Sequence, residues 1–537
     1  MTRVVPSTEA VTELWAQILG LDNLASSDCV LAKGASSRHV MQFINRAFEI
    51  FGRRLKIREV YTESTSDAIA AKLAAISHEP SKSSTTVFVD GNPPSPAQRH
   101  FYLEAEKRPD APFLFLPFVV RIRGNLNLEA LRESFHIASK RHESLRSCFV
   151  RFADRIERRV HEAAPVQFEQ FSLGRGLDQE GQLASASDFV QTQIKAGMDL
   201  SVAPLYRLWV SQPDNNDHLL VVIVHHLILD GHSIGLWLRE TAQIYSSIIS
   251  GFVPLSDRQG PQDSDYIAWY QSYFDASRRE AVKASFRDML RGARLAVSLP
   301  TMLPRTNVPA DMKGYLRVHV PDEIVATIRR AAIDARSSVF SILIAAWNVV
   351  LHRYTGSTDL VIRVAGSVRD RTEFESIVGM LWTPLFVRCR FSPSTEFKSL
   401  IECATEGVSR ALGHQHLSTE DARTALLPDI DLDTNAPDFH FTLHDDRIHS
   451  EVALTGLEVK ILSIPVTDHG ADIKVHLREG NNRLDGRIVY RSDLFSTEFI
   501  AQLFNDFTGA LQTLMNDPLK QVGAVELTST HYGNAIR

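Results

Sequence analysis

Apolar residues recur at helical spacing over the first part of the chain. One apolar face covers residues 11–19 and a second covers residues 40–51, and each is followed directly by a glycine. Two shorter apolar groups follow between residues 55 and 76. A repeat of three or four residues places such side chains on one side of a helix, and glycine commonly ends one. The pattern predicts a small all-α domain of four helices over residues 1–78.

The pattern changes after this domain. Between residues 79 and 94, serine, threonine, glycine and proline replace the apolar positions, which predicts an interdomain linker. Beyond it, apolar runs such as residues 115–122 and 219–224 alternate with amphipathic helical stretches. This alternation is typical of an α/β architecture. Prolines and a glycine interrupt it near residues 255–275, where we place a further boundary.

Composition and charge narrow the class of protein. The 537 residues are 44% hydrophobic and 23% charged, and the formal net charge is only -6 with both signs interspersed. A nucleic-acid-binding protein would show a basic patch or arm. The four cysteines are scattered without a CxxC pair, so neither a disulfide framework nor a zinc ribbon is expected. Without a signal peptide or a membrane-spanning apolar stretch, the sequence predicts a soluble cytoplasmic protein that binds neither nucleic acid nor membrane.

The most informative segment is HLLVVIVHHLILDGHS, residues 218–233. Its first half is a continuous apolar run, typical of a strand buried on both faces, and His225 and His226 stand at the end of that run. Asp230 and Gly231 then indicate a turn before a helix. Imidazole exchanges protons near neutral pH, and turn N–H groups can stabilise a developing oxyanion. The segment therefore suits acid–base chemistry without a metal, the alternative being a pair of core histidines.

A second motif overlaps this segment. Residues 231–235 read G-x-S-x-G, the nucleophile elbow of an α/β-hydrolase, with Ser233 as the nucleophile. Its base would be one of four downstream histidines: His414, His440, His444 or His469. The bulky Leu236 and Trp237 and the lack of an upstream HGGG-type segment count against this interpretation. A thioesterase-like hydrolase remains an alternative.

The HHxxxDG segment resembles the signature of condensation domains of nonribosomal peptide synthetases, and further elements follow in the family's order. They are residues 95–99 for S-x-A-Q-x-R, 141–149 for R-H-E-x-L-R-T-x-F, 265–269 for D-Y-A-x-W and 378–384 for I-G-x-F-V-N-T. The last element departs from the family because Trp382 replaces its asparagine. The resemblance runs from about residue 94 to the C-terminus and implies two chloramphenicol-acetyltransferase-like lobes around a tunnel.

The resemblance also implies a set of site residues. They are His226, His225, Asp230, Gly231, Arg369 and Arg146. His226 matches the catalytic histidine of the family, and Gly231 would keep the backbone close to the reaction centre. Asp230 matches an aspartate that supports the loop through an arginine. Arg369 is the expected partner, because a buried aspartate without one would be costly, and Arg146 is a second structural candidate.

The N-terminal segment resembles a peptidyl carrier domain. Residues 43–46 and 51–61 follow the family's second and third helical stretches, and counting back from Arg46 places the 4'-phosphopantetheine serine at Ser37. A phosphodiester at a helix N-terminus would meet free N–H groups and the positive end of the dipole. The family's G-G-(D/H)-S-L reads GASSR at residues 34–38. The alternative that the serine only caps the helix, in an unmodified carrier used for docking, therefore stays open.

Together these features predict a carrier–condensation protein. The expected units are a carrier domain over residues 1–78, a linker over 79–94, a first lobe over 95–265 and a second lobe over 266–537. The expected reaction joins a carrier-tethered acyl or aminoacyl thioester to an amine on a downstream or separate carrier protein. Expected partners are a phosphopantetheinyl transferase and upstream adenylation or other synthetase modules. A non-catalytic docking scaffold is the remaining alternative.

Overall fold

The structure of the protein is a computed structural model. It describes residues 6–35, 37–53, 55–76, 92–153, 155–166, 168–173, 177–214, 216–252, 260–302, 314–426, 438–445, 452–462, 464, 471–480 and 483–527. The predicted linker over residues 79–94 lies almost entirely outside the described residues.

Residues 8–75 form four helices around a core of their own. The helices are α1 (Thr8–Leu19), α2 (Ser37–Phe51), α3 (Ile57–Thr62) and α4 (Ser66–Ala75). In the core, the Trp15 ring of α1 stacks on the Phe43 ring of α2 with centroids 4.3 Å apart. Ser7 caps α1, and Gly20, with φ of 66°, ends it in the left-handed conformation that glycine adopts readily. The helices and their ends follow the apolar spacing of the sequence.

The first lobe contains a five-stranded sheet. Its elements are α5 (Pro96–Lys107), β1 (Phe115–Arg123), α6 (Leu128–Arg141), β2 (Ser147–Phe152), β3 (Arg155–Val160), β4 (Phe168–Gln170), α7 (Gln179–Lys195), β5 (Tyr206–Asp214), β6 (Asp217–His225) and α8 (Gly231–Ile249). Strands β2 and β3 form a separate hairpin. Strand β6 is the apolar run of the sequence, and it pairs antiparallel with β1 on one side and β5 on the other. Its buried position confirms the prediction of a fully buried strand.

The second lobe contains a six-stranded sheet. Its helices are α9 (Asp263–Tyr273), α10 (Ala276–Leu290), α11 (Asp322–Asp334), α12 (Val339–Thr355), α13 (Thr372–Glu375), α14 (Phe397–Leu412), α15 (Thr419–Leu426) and α16 (Thr497–Asn516). The strands of this half of the chain are β7 (Gly314–Val320), β8 (Asp359–Ser367), β9 (Trp382–Arg390), β10 (Phe439–Asp445), β11 (Glu458–Leu462), β12 (Ile473–Glu479) and β13 (Leu484–Tyr490). The sheet has the order β7-β13-β12-β10-β8-β9. Its core includes Trp347 of α12, stacked 4.2 Å from Phe507 of α16.

The two lobes exchange segments. Strand β11 joins the first sheet, where it pairs antiparallel with β1 and gives the order β11-β1-β6-β5-β4. Val378 and Met380, which precede β9, also belong to the apolar core of the first lobe. The sheets therefore do not separate at one point near residue 265, because the chain returns to the first lobe after entering the second.

The N-terminal helical unit contacts the second lobe. Arg46 of α2 donates a hydrogen bond from Nε to Thr372 Oγ1 of α13 at 2.7 Å. Helix α3 lies against α14, and Ile333 of α11 packs on the apolar core of the N-terminal unit. This unit is thus seated on the lobe that supplies Arg369.

Among the described residues, no single helix is both long enough and apolar enough to cross a membrane. Helices α11 and α12 reach that length and apolar character only when they are taken together, and the chain bends by 107° between them.

Candidate active site at the junction of the two lobes

The paired histidines stand where β6 leaves the first sheet. The backbone N–H of His225 donates to the carbonyl of Leu205 at 2.9 Å, and that of His226 donates to the carbonyl of Leu114 at 2.6 Å. The backbone is thus held on both sides at the point where the strand ends. Because His225 is the last residue of β6 and His226 begins the following turn, the two imidazoles have different surroundings.

His225 is buried and has a structural environment. Its Nδ1 accepts a hydrogen bond from the Leu227 N–H at 3.1 Å, and its ring meets the Phe115 ring edge to face at 5.2 Å. Because Nδ1 is an acceptor, the proton of the neutral ring lies on Nε2. Burial, together with the charge of His226, lowers the pKa of His225 to about 3. This ring therefore stays neutral near pH 7 and shapes the turn.

His226 is partly exposed at the junction of the lobes. Its ring stacks on the Phe101 ring of α5, with centroids 4.6 Å apart and planes inclined by 22°. Gly231 stands five residues further on, at the start of α8, and a Cβ added there would meet no heavy atom within 4 Å. The ring of His226 is thus stacked on Phe101 and partly exposed, and the adjacent turn borders open space.

Asp230 and Arg369 form a buried ion pair between the lobes. Arg369 Nη1 lies 2.6 Å from Asp230 Oδ2, and Nη2 lies 3.2 Å from Oδ1. Burial by itself would raise the pKa of Asp230, but the charge and hydrogen bonds of Arg369 outweigh it and hold this pKa at about 2. The carboxylate also accepts from the Ser233 N–H at 2.8 Å and so caps α8. The turn after His226 is thereby fixed to the second lobe.

The segment before β9 completes this connection. Leu381 N–H donates to Asp230 Oδ2 at 3.1 Å, and Arg369 Nη2 donates to the carbonyl of Ile377 at 3.1 Å. Gly379 must lack a side chain here, because an added Cβ would lie 2.8 Å from Asp263 Cβ. We call these contacts the interlobe network; its residues are Asp230, Ser233, Arg369, Ile377, Gly379 and Leu381.

Ser233 belongs to the interlobe network. Its hydroxyl donates to the Gly379 carbonyl at 2.7 Å, and it accepts from the Gly379 N–H at 3.0 Å and from Arg369 Nη2 at 2.6 Å. The described candidate bases bond elsewhere: His414 to Ser285, His440 to Asp438 and His444 to His476. His469 lies outside the described residues. These contacts make Ser233 a connection between the lobes, and the hydrolase alternative is not favoured.

Arg146 bonds to His161. Its guanidinium donates to the carbonyl of His161, and the His161 N–H donates back to the Arg146 carbonyl at 3.0 Å. These bonds close the base of the β2–β3 hairpin. Of the two arginines singled out from the sequence, Arg369 bonds to Asp230 in the turn after His226, and Arg146 bonds to the residue that follows the β2–β3 hairpin.

A second buried network escaped the sequence analysis. Arg158, fully buried on β3, contacts Asp263 through Nη2, and the same nitrogen lies 3.0 Å from Glu143 Oε2. Gln98 of α5 donates from Nε2 to the other oxygen of Asp263 at 3.2 Å. Gln98 lies in the motif element at residues 95–99 and Glu143 in that at residues 141–149. Their place in these elements was the one sign in the sequence that they have a structural role. Their meeting with Arg158 follows only from tertiary packing.

The buried ion pair generates a stability prediction. We expect Arg369→Met to lower the free energy of unfolding by about 3–5 kcal/mol, because Asp230 is left as an uncompensated buried charge. The double variant Asp230→Asn/Arg369→Met should recover much of this loss. The measurement is urea unfolding followed by circular dichroism. Arg291→Met removes an exposed pair with Asp288 and serves as the control, with an expected loss below about 1 kcal/mol. Equal losses in the single and double variants would contradict this account.

His225 generates a prediction on pH. The folded protein resists protonation of His225 until about pH 3, whereas an unfolded histidine binds a proton near pH 6.5. The unfolded state therefore holds about one more proton between these values, and stability falls as the pH drops through this window. We expect His225→Asn to reduce the slope of unfolding free energy against pH by about one proton between pH 6 and pH 4. His136→Asn on α6 is the control, and an unchanged slope in His225→Asn would refute the assignment.

Comparisons with known proteins identify the family to which the chain belongs. A family model described as Condensation domain matches residues 90–536. One component of the linear gramicidin synthase of Brevibacillus parabrevis is 26% identical over 533 residues, which cover 98% of this chain and 10% of that protein. Surfactin synthase subunit 1 of Bacillus subtilis (strain 168) is 24% identical over 531 residues, covering 97% of this chain and 14% of that protein. The chain thus spans only a small part of these relatives.

Solved structures show the same fold. The X-domain from teicoplanin biosynthesis superposes with a TM-score of 0.71 at 22% identity, covering 83% of this chain and 100% of that chain. The first condensation domain of the CDA synthetase superposes with a TM-score of 0.65 at 20% identity, covering 81% of this chain and 99% of that chain. These matches agree with the two-lobed α/β architecture. The chain belongs to the condensation-domain family of the nonribosomal peptide synthetases, whose domains catalyse amide-bond formation.

Proposed function

We propose that this chain joins an acyl or aminoacyl thioester to an amine at His226. The observation that carries the proposal is the position of this imidazole, which is partly exposed at the end of a buried strand where the two lobes meet. The interlobe network holds the following turn in place. A group that exchanges protons is thereby presented on a rigid support, which is what acid–base catalysis requires.

The proposed reaction forms one C–N bond and breaks one C–S bond. The amine nitrogen attacks the thioester carbonyl carbon while the His226 ring accepts a hydrogen bond from the amine and takes its proton. The C–S bond then breaks, and the proton passes to the departing thiolate to give the free thiol. Asp230 stays ionised beside Arg369, so its part is to hold the turn rather than to exchange the proton. The N–H group of Gly231, at the start of α8, would face the developing oxyanion.

We further propose that the N-terminal helical unit is a carrier domain modified at Ser37. Helix α2 begins at Ser37 and has no acidic residue in its first turn, so its N-terminus fits a phosphodiester. The alignments with the synthases cover 97–98% of the chain and therefore include residues before the condensation domain. A 4'-phosphopantetheine group on Ser37 would supply a thiol on a flexible arm. The side chain of Ser37 itself lies outside the described residues.

The proposed partners follow from this reaction. The amine would be carried by a separate or downstream carrier protein, and a phosphopantetheinyl transferase would modify Ser37. Upstream adenylation or other synthetase modules would supply the activated acyl group. Linkage of the carrier to the condensation domain raises the effective concentration of the donor, provided that the linker reaches the tunnel.

The catalytic proposal predicts a selective loss of activity. With a soluble acyl-pantetheine donor and an amine, His226→Ala should lower the rate of amide formation by about 10²–10⁴-fold, the usual contribution of a positioned acid–base group. Product is measured by liquid chromatography and mass spectrometry. His319→Ala changes an exposed histidine and is the control. A His226→Ala protein with the wild-type rate would refute the proposal and favour a docking scaffold.

The carrier proposal predicts covalent modification. Incubation with coenzyme A and a broad-specificity phosphopantetheinyl transferase should increase the intact mass by one phosphopantetheine group. Ser37→Ala should abolish the gain, whereas the matched variant Ser36→Ala should keep it. Absence of a gain in the wild type, or a gain that survives Ser37→Ala, would show that Ser37 is not the attachment site.

A further inference from the structure

Two of the four scattered cysteines come together in the second lobe. Cys389 lies on β9, and its side chain is fully buried in the apolar core of that lobe. Cys403 lies on α14, where it packs against the same core and is partly exposed. All four cysteines of the chain are free thiols. The second lobe therefore holds a pair of thiols of which one is accessible from outside.

The packing of α14 on β9 makes the two thiols face each other. A Cβ added to Gly407 of α14 would lie 3.2 Å from Cγ1 of Val387, so the helix lies close against this side of the strand. Because side chains alternate along a strand, Cys389 points to the same side as Val387. One turn earlier on the helix, Cys403 Sγ lies 3.5 Å from the carbonyl oxygen of Arg390, the residue next to Cys389. The two side chains thus meet across the contact between strand and helix.

The two thiols differ in acidity. The hydrogen bond between them raises the pKa of Cys389, and burial raises it further. The same hydrogen bond lowers the pKa of Cys403, although burial opposes this effect. Cys403 is therefore the thiol that ionises first, and Cys389 keeps its proton. The thiolate is the nucleophilic form of cysteine, so the partly exposed member of the pair is also the reactive one.

We propose that Cys389 and Cys403 form a reversible oxidation site, which reacts with hydroperoxides and closes to a disulfide. The Cys403 sulfur attacks one peroxide oxygen and the O–O bond breaks. This gives a sulfenic acid, and the departing alkoxide or hydroxide takes up the proton that Cys403 has lost. The Cys389 sulfur then attacks the Cys403 sulfur, the S–O bond breaks, and the hydroxide leaves as water with the Cys389 proton. The two thiols lose two electrons in total, and the hydroperoxide gains them.

Closure of the disulfide has a chemical and a structural consequence. It prevents further oxidation of the sulfenic acid to a sulfinic acid, which thiol reductants do not reverse. It also ties β9, the last strand in the order of the second sheet, to the helix that covers it. The inference is independent of amide formation at His226 and of modification at Ser37, because neither residue takes part in the thiol chemistry.

The test counts free thiols in the full chain before and after brief treatment with one equivalent of hydrogen peroxide. Maleimide labelling after denaturation, read by intact mass, should find all four thiols before treatment and two fewer afterwards, and dithiothreitol should restore them. Peptide mapping should find a link between Cys389 and Cys403. Cys403→Ser should lose none of its remaining thiols. Cys29→Ser, at another partly exposed cysteine, is the matched control and should still lose two.

A second variant tests the order of the two steps. Cys389→Ser removes the thiol that closes the disulfide, so the sulfenic acid on Cys403 should persist and be trapped by dimedone. An unchanged thiol count in the wild type, a link between other cysteines or between two chains, or a loss of two thiols in Cys403→Ser would overturn the inference. Since the assay contains no thioester and no amine, these outcomes leave the proposed condensation reaction untouched. Circular dichroism of each variant confirms folding.

Discussion

The buried ion pair between Asp230 and Arg369 is the interaction on which the site depends. Each charge would be unfavourable inside the protein without the other, and the two come from different lobes. The remaining hydrogen-bonding capacity of the carboxylate is used by N–H groups at the start of α8 and before β9. Assembly of the lobes and ordering of the turn after His226 are therefore one event. His226 has a defined position because Asp230, four residues later, is held by its ion pair with Arg369.

The exchange of segments strengthens this dependence. Strand β11 completes the first sheet, and Val378 and Met380 complete the first core, so neither lobe buries its own apolar surface fully without the other half of the chain. Gly379 allows the crossing segment to approach Asp263 without a clash. The Arg158–Asp263 pair adds a second buried charge contact at the same junction. Apolar burial and paired charges thus hold the lobes at one relative position.

Two neighbouring histidines consequently have separate roles. His225 points into the protein, where burial keeps it neutral and its Nδ1 accepts from the next turn. His226 lies on the accessible side, with its plane set by Phe101. The chemistry of the side chain is the same in both, and the two positions, one at the end of the strand and one at the start of the turn, assign one to structure and the other to proposed catalysis.

Local features of this protein could be predicted from the sequence because their causes are local. The spacing of apolar residues predicts the four N-terminal helices, and the apolar run before His225 predicts β6, since each depends on neighbours within one turn or one strand. The match of Arg369 to Asp230 came from the family resemblance, because nothing in the spacing of residues 139 positions apart indicates a contact. The same segment also allowed a nucleophile elbow as an alternative, and the partners of the Ser233 hydroxyl count against it. The return of β11 to the first sheet and the meeting of Trp382 with α5 were decided by tertiary packing alone. These contacts join distant residues through burial and hydrogen bonding, which leave no periodic trace along the chain.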